Sequence, residues 1–154
     1  MAPVQTTYRE QMLDNSPGTL QGSDYNTETG ICETVAGIPF GRAVSQGAES
    51  DQGVIIGGSL AAFRGVAMKD VTLGAEQDTY LVPNNVGIMN RGTIWVEPNE
   101  AVTADAAVYF VAATGVFSDN ASGAVGPIKG ARWKTSCAAN GRALLQLSGY
   151  NKNG

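Results

Sequence analysis

Short runs rich in Val, Ile, Phe and Tyr, each cut off within a few residues by Gly, Pro, Asn or Asp, recur along the chain from Ile31 onward. This punctuation leaves little room for a helix of ordinary length and favours strands joined by turns. Twenty of the 154 residues are glycine, nearly twice the usual share of about 7%. They are spread between the apolar runs rather than gathered in one tract, so they mark turns and bulges. The expected fold class is all-β, built as a small β-barrel or β-sandwich.

Strands are predicted at residues 38–44, 53–56, 62–68, 79–82, 86–89, 93–96, 106–113, 130–136 and 142–147. The block 91–117 carries the strongest signal: two strands, 93–97 and 106–113, with Pro98, Asn99 and Asp105 in the turn-rich link between them. Around residues 132–135 and 142–147 polar and apolar side chains alternate, as they do when one sheet face is buried. Asn140-Gly141 between these runs predicts a hairpin over 131–147, because both residues tolerate positive φ.

The first thirty residues differ. Gln, Thr, Asn, Ser, Asp and Gly dominate, with isolated apolar residues at Val4, Tyr8, Met12, Leu13, Leu20 and Tyr25. Such a segment cannot form a core of its own and reads as an extended N-terminal arm laid on another surface. The expected division is an arm over 1–30, a β-domain over 31–150 and a short tail over 151–154. Within the arm, Tyr8, Arg9, Met12, Leu13 and Leu20 are the candidate contacts to a neighbouring subunit.

Charged residues make up 16% of the chain, against about 25% in an average soluble domain. A folded protein so poor in charge is expected to cover much of its surface with partners. The net charge of −4 and the absence of any Lys/Arg run argue against a nucleic-acid partner. No apolar run approaches the length of a membrane span, so no membrane partner is expected. The opening Met1-Ala2-Pro3 is not followed by a charged region and an apolar run, so cytoplasmic synthesis is expected, with Cys32 and Cys137 as thiols.

The chain has no histidine, which removes the commonest general base, the commonest metal ligand and the usual partner of a nucleophilic Ser or Cys. Gly57-Gly58-Ser59-Leu60-Ala61 approaches a nucleophile-elbow pattern but ends in Ala, so Ser59 reads as a turn residue. Glu97, Asn99, Glu100 and Asp105 bring oxygen ligands close in sequence, yet their spacing is not that of an EF-hand. Asp24, Glu28, Glu33, Glu49 and Asp51 contain no pair marked out for glycoside cleavage. Trp95, Trp133, Phe63, Tyr109, Phe110 and Phe117, at strand spacing, read as core rather than as a sugar platform. No enzyme, cofactor or metal site is expected.

Several short motifs stand in a fixed order: Gly41-Arg42-Ala43-Val44, Phe63-Arg64-Gly65-Val66-Ala67, Asn90-Arg91-Gly92-Thr93-Ile94-Trp95-Val96, Val108-Tyr109-Phe110, Ala131-Arg132-Trp133-Lys134-Thr135-Ser136 and Asn140-Gly141-Arg142-Ala143. Together they resemble the structural cement, or decoration, proteins of tailed bacteriophages, over residues 31–148. The resemblance implies a small all-β protein on the outer face of an assembled capsid. It would bind the major capsid protein as a homo-oligomer, a dimer or a trimer, over junctions between capsid subunits and hold the shell against packed DNA. The expected location is the virion exterior, after synthesis in the bacterial host cytoplasm. The competing expectation is a virion domain that binds a host surface or carbohydrate, which an exposed Trp95 or Trp133 would mark.

Overall fold

The computed structural model describes residues 16–70 and 78–148, and these are all-β, with no helix among them. The first half contains β1 (Leu20–Cys32), β2 (Ile38–Pro39), β3 (Ala43–Gln46), β4 (Gly53–Ile56), β5 (Phe63–Ala67), β6 (Thr79–Tyr80) and β7 (Asn85–Val96). The second half contains β8 (Tyr109–Phe110), β9 (Phe117–Ser118), β10 (Ala131–Trp133) and β11 (Ala143–Ser148).

The main sheet runs β1-β4-β3-β5-β7-β11-β10, and β1 also pairs with β7, so five strands form a closed circuit. Four of its five joints are antiparallel, while β1 and β4 meet in parallel at Ile31 and Cys32. Along its second half β7 keeps β1 on one edge and exchanges β5 for β11 on the other, and β11 carries β10 on its far edge.

Period-two alternation along these strands serves two cores. The first takes side chains from every strand of the circuit: Cys32, Val44, Val54, Ala67, Val86 and Ile88, joined by Ile38, Phe40 and Tyr80. Their neighbours in sequence, Ala43, Val66 and Met89, point the other way, into a second core with Val108, Phe110, Phe117, Trp133 and Leu145. A strand buried on both faces needs an apolar run rather than alternation, and Ile88-Met89 and Val66-Ala67 supply it.

Two strands predicted at 86–89 and 93–96 are one, β7. Asn90-Arg91-Gly92 looks like a turn in sequence, but the chain stays in the sheet and bends. Met89 and Ile94 both face the second core although they are five positions apart, so the alternation changes phase between them. Gly92, at φ 129°, sits at this irregularity, where a Cβ would lie 2.6 Å from the Cβ of Tyr25. The strand predicted at 106–113 shrinks to Tyr109–Phe110, which pairs with β9 and not with β7. The predicted strand 38–44 divides into β2 and β3, with Gly41 at φ 79° between them.

The predicted hairpin over 131–147 forms, with Trp133 opposite Leu145. Its connection is longer than a two-residue turn: the Gly141 amide donates to the Ala138 carbonyl at 3.0 Å, and Asn140 alone of the pair has positive φ, 62°.

Candidate interaction surface

The expected boundary at residue 30 falls inside β1, whose first residues belong to the sheet. β1 pairs antiparallel with β7, Leu20 opposite Ile94 and residues 26–31 opposite 91–85, with irregular register between Gln21 and Thr27. Residues 21–27 and Thr29 are exposed. A polar strand of this kind has no apolar face to seat it, so its order comes from the ladder to β7 and from side-chain ties.

Those ties are specific. Asp24 pairs with Arg91 at 3.0 Å, and the Asn26 amide donates to the Asn90 side-chain oxygen at 2.8 Å. Arg64 of β5 reaches Glu28 at 3.0 Å and the Gln46 side-chain oxygen at 3.3 Å, linking β1, β5 and β3. Glu28 and Arg64 are 27% and 18% exposed, so this pair is partly shielded and the Asp24 pair is not. On its other edge β1 meets β4 only at Ile31 and Cys32. Among the described residues no strand pairs with that edge before Ile31, and such an edge is a template for another strand.

Of the predicted contact residues, Leu20 is half-buried against this chain's own second core. Tyr8, Arg9, Met12 and Leu13 lie outside the described residues.

Of the other residues weighed for chemistry, Glu33 meets Glu49 only through its backbone, accepting the Glu49 amide at 3.1 Å, and Glu97, Asp105 and Glu100 are engaged separately. Glu97 pairs with Arg142 at 3.1 Å, Asp105 with Arg132 at 2.9 Å, and Glu100 accepts from Asn120 at 3.3 Å. Among the described residues no group of three or more His, Cys, Asp or Glu side chains could hold a metal ion. Ser59 accepts the Ala62 amide at 3.3 Å, as a turn residue does. Cys32 lies in the first core, where burial pushes its thiol pKa up, whereas Cys137 is bridged to Val102 beside the second. Tyr80, which donates to the Met68 carbonyl, is pushed up to about 12 by burial.

The aromatic residues divide. Trp133, Phe110 and Phe117 are buried in the second core, and Phe63 stacks on Phe110 with ring centroids 5.4 Å apart. Trp95 is only half-buried, on the face of β7 opposite Ile94 and Val96 and beside Leu144. The expectation that it fills the core is corrected by the phase change at Gly92, which turns Ile94 and Val96 inward and Trp95 outward. Its indole N–H is nonetheless shielded, so neither tryptophan offers the open, polar-tipped face that a sugar platform uses.

A cavity of about 610 Å³ opens near Pro17, Phe40, Arg42, Lys69 and Glu97. Its charges are already engaged: Arg42 donates to the Thr114 carbonyl at 2.8 Å, Lys69 to the Ser16 hydroxyl at 2.8 Å, and Glu97 holds Arg142.

A candidate surface made of strand edge and turns rather than of reacting groups agrees with what known proteins share with this chain. No curated protein matches it. A chain from the structure titled "The capsid of Myoviridae Phage XM1" has the same fold, with TM-score 0.72 at 18% identity, over 96% of this chain and 98% of that one. The family model for the structural cement protein (E217 gp24/Pam3 gp6) matches residues 4–148. Spanning nearly the whole sequence, that match makes this chain a member of the phage structural cement protein family.

Proposed function

We propose that this chain decorates the outer face of a bacteriophage head, bound over junctions between major capsid proteins, and braces the shell against the pressure of packed DNA. The family match over residues 4–148 carries the reading. Three physical features support it: the low charge, the exposed polar strand β1, and the carboxylates of Glu97 and Asp105 held apart in separate ion pairs. The role is structural rather than catalytic, and the protein resides in the virion after synthesis in the host cytoplasm.

The chain acts as a symmetric homo-oligomer, so that one modest contact is used repeatedly and the contacts reinforce one another. Tyr8, Arg9, Met12 and Leu13 reach a neighbouring subunit, while Leu20, seated on the second core, roots the arm in its own fold. Heads assembled without the protein should release their DNA at a lower temperature than coated heads, measured by dye accessibility during a thermal ramp. Equal release temperatures would sink the reading. Deleting residues 2–15 should weaken binding to bare heads, and full retention of binding would remove the arm from the mechanism.

A further inference from the structure

Four large apolar side chains are exposed among the described residues, and three of them gather on one tip: Val35 at 92%, Leu81 at 46% and Val82 at 47%. They sit on two turns, residues 34–37 and 81–84, brought side by side by the pairing of β2 with β6. The turns adjoin closely: a Cβ on Gly37 would lie 3.2 Å from a terminal methyl of Leu81 and 3.0 Å from the Tyr80 carbonyl oxygen. Between Thr34 and Gly41, and between Thr79 and Asn90, the only ionisable side chain is Tyr80, which is buried.

The tip is also held in shape. The Gly37 amide donates to the Thr34 carbonyl at 2.9 Å, Asn84 to Leu81 at 2.7 Å, and Cys32 to the Asn84 carbonyl at 2.9 Å. The Thr34 hydroxyl accepts the Ile56 amide at 2.9 Å. Aliphatic groups exposed on a pre-ordered turn lose little entropy on docking, which is how an apolar anchor contributes most to an interface.

We infer that Val35, Leu81 and Val82 form an uncharged apolar plug that seats in an apolar pocket on a protein subunit of the shell. The inference rests on the shell-binding reading above. The lack of charge selects the partner: attraction to a lipid headgroup or phosphate surface calls for Lys or Arg beside the apolar groups, and these turns have none. A pair of copies held by these turns alone is a poorer fit, because three aliphatic side chains meeting their symmetry mates bury far less than the roughly 1,200 Å² of a stable pair, whereas on a shell they add to the other contacts proposed above.

The test is co-sedimentation of the full chain with bare heads, comparing wild type, V35K and the double variant V35D/V82D. Both variants alter exposed side chains, so their melting temperatures should match wild type. Binding should weaken for each, by about tenfold or more for V35D/V82D, with little change in the wild-type affinity between low and moderate salt. Wild-type binding by folded V35K and V35D/V82D would overturn the plug and leave the shell-binding reading standing. Failure of the wild type itself to bind would remove that reading, and the plug with it. If the double variant instead lowers the oligomer mass in native mass spectrometry, or wild type floats with neutral phosphatidylcholine vesicles and the variant does not, the plug belongs to a second copy or a bilayer and the inference is wrong.

Discussion

β1 and β7 are the two long strands of the molecule and lie antiparallel over much of their length, yet their environments are opposite. β7 has neighbours on both edges and a core on each face: Ile88 faces the first core and Met89 the second. β1 has β7 along one edge, β4 only at its end, and solvent around residues 21–27. Hydrogen bonds between strands are therefore common to both, and apolar burial separates them. Between Leu20 and Cys32, its two apolar anchors, β1 belongs to the sheet by its ladder and side-chain ties, and this stretch contributes little to stability and leaves its surface to a partner.

The register places Glu28 of β1 directly opposite Ile88 of β7, which allows the comparison to be broken at a single rung. Ile88→Ala should cost about 2–5 kcal/mol, because Ile88 is fully buried and its loss opens a cavity that the surrounding core closes only in part. Chemical denaturation reads this directly, and a loss below 1 kcal/mol would mean that β7 is not the central strand described here. Gly92→Ala should cost about 1–3 kcal/mol through its φ of 129° and its contact with Tyr25. Hydrogen exchange should show amides of residues 20–27 opening while those near Trp133 stay protected; uniform loosening would contradict a local role for Gly92. Glu28→Gln should cost no more than about 1 kcal/mol, since the Arg64 pair is partly solvated. A larger loss would show that β1 supports the fold as β7 does.

The polar strand is also where sequence and structure part most clearly. Residues 20–30 carry no period-two pattern of apolar side chains, so local signals place them in an arm. Strand pairing, however, is satisfied by backbone groups, and the edge of β7 that β5 and β11 do not occupy accepts a chain of any composition that can reach it. The same reasoning explains β7 itself: Asn90-Arg91-Gly92 has the composition of a turn, and only the β1 and β11 ladders on either side keep it extended. At 106–113 the error runs the other way. Val108 to Val111 has strand propensity, flanked by alanines that lack it, but a ladder needs a partner, and β9 supplies one only at Tyr109 and Phe110.

The candidate surface was legible in part. The scarcity of charge and the missing histidine pointed to interfaces rather than to reacting groups, and the order of the glycine-bearing motifs pointed to the family. The apolar tip was not legible, because Val35, Leu81 and Val82 are unremarkable in sequence and become neighbours only when β2 pairs with β6. Trp95 was misplaced for a related reason: which face of a strand is buried depends on phase, and one irregularity at Gly92 reverses it.

By itself, then, the sequence determined the all-β class, the hairpin that carries Trp133, the apolar residues available for burial and the family. These follow from local propensity, turn chemistry and motif order, which act over a few residues. Only the tertiary structure decided that β1 closes the circuit, that one apolar set serves two cores, and that two distant turns build one tip. Those outcomes rest on pairings between residues dozens of positions apart, such as Thr27 with Met89 and Ile38 with Tyr80, and no local pattern specifies which edges meet.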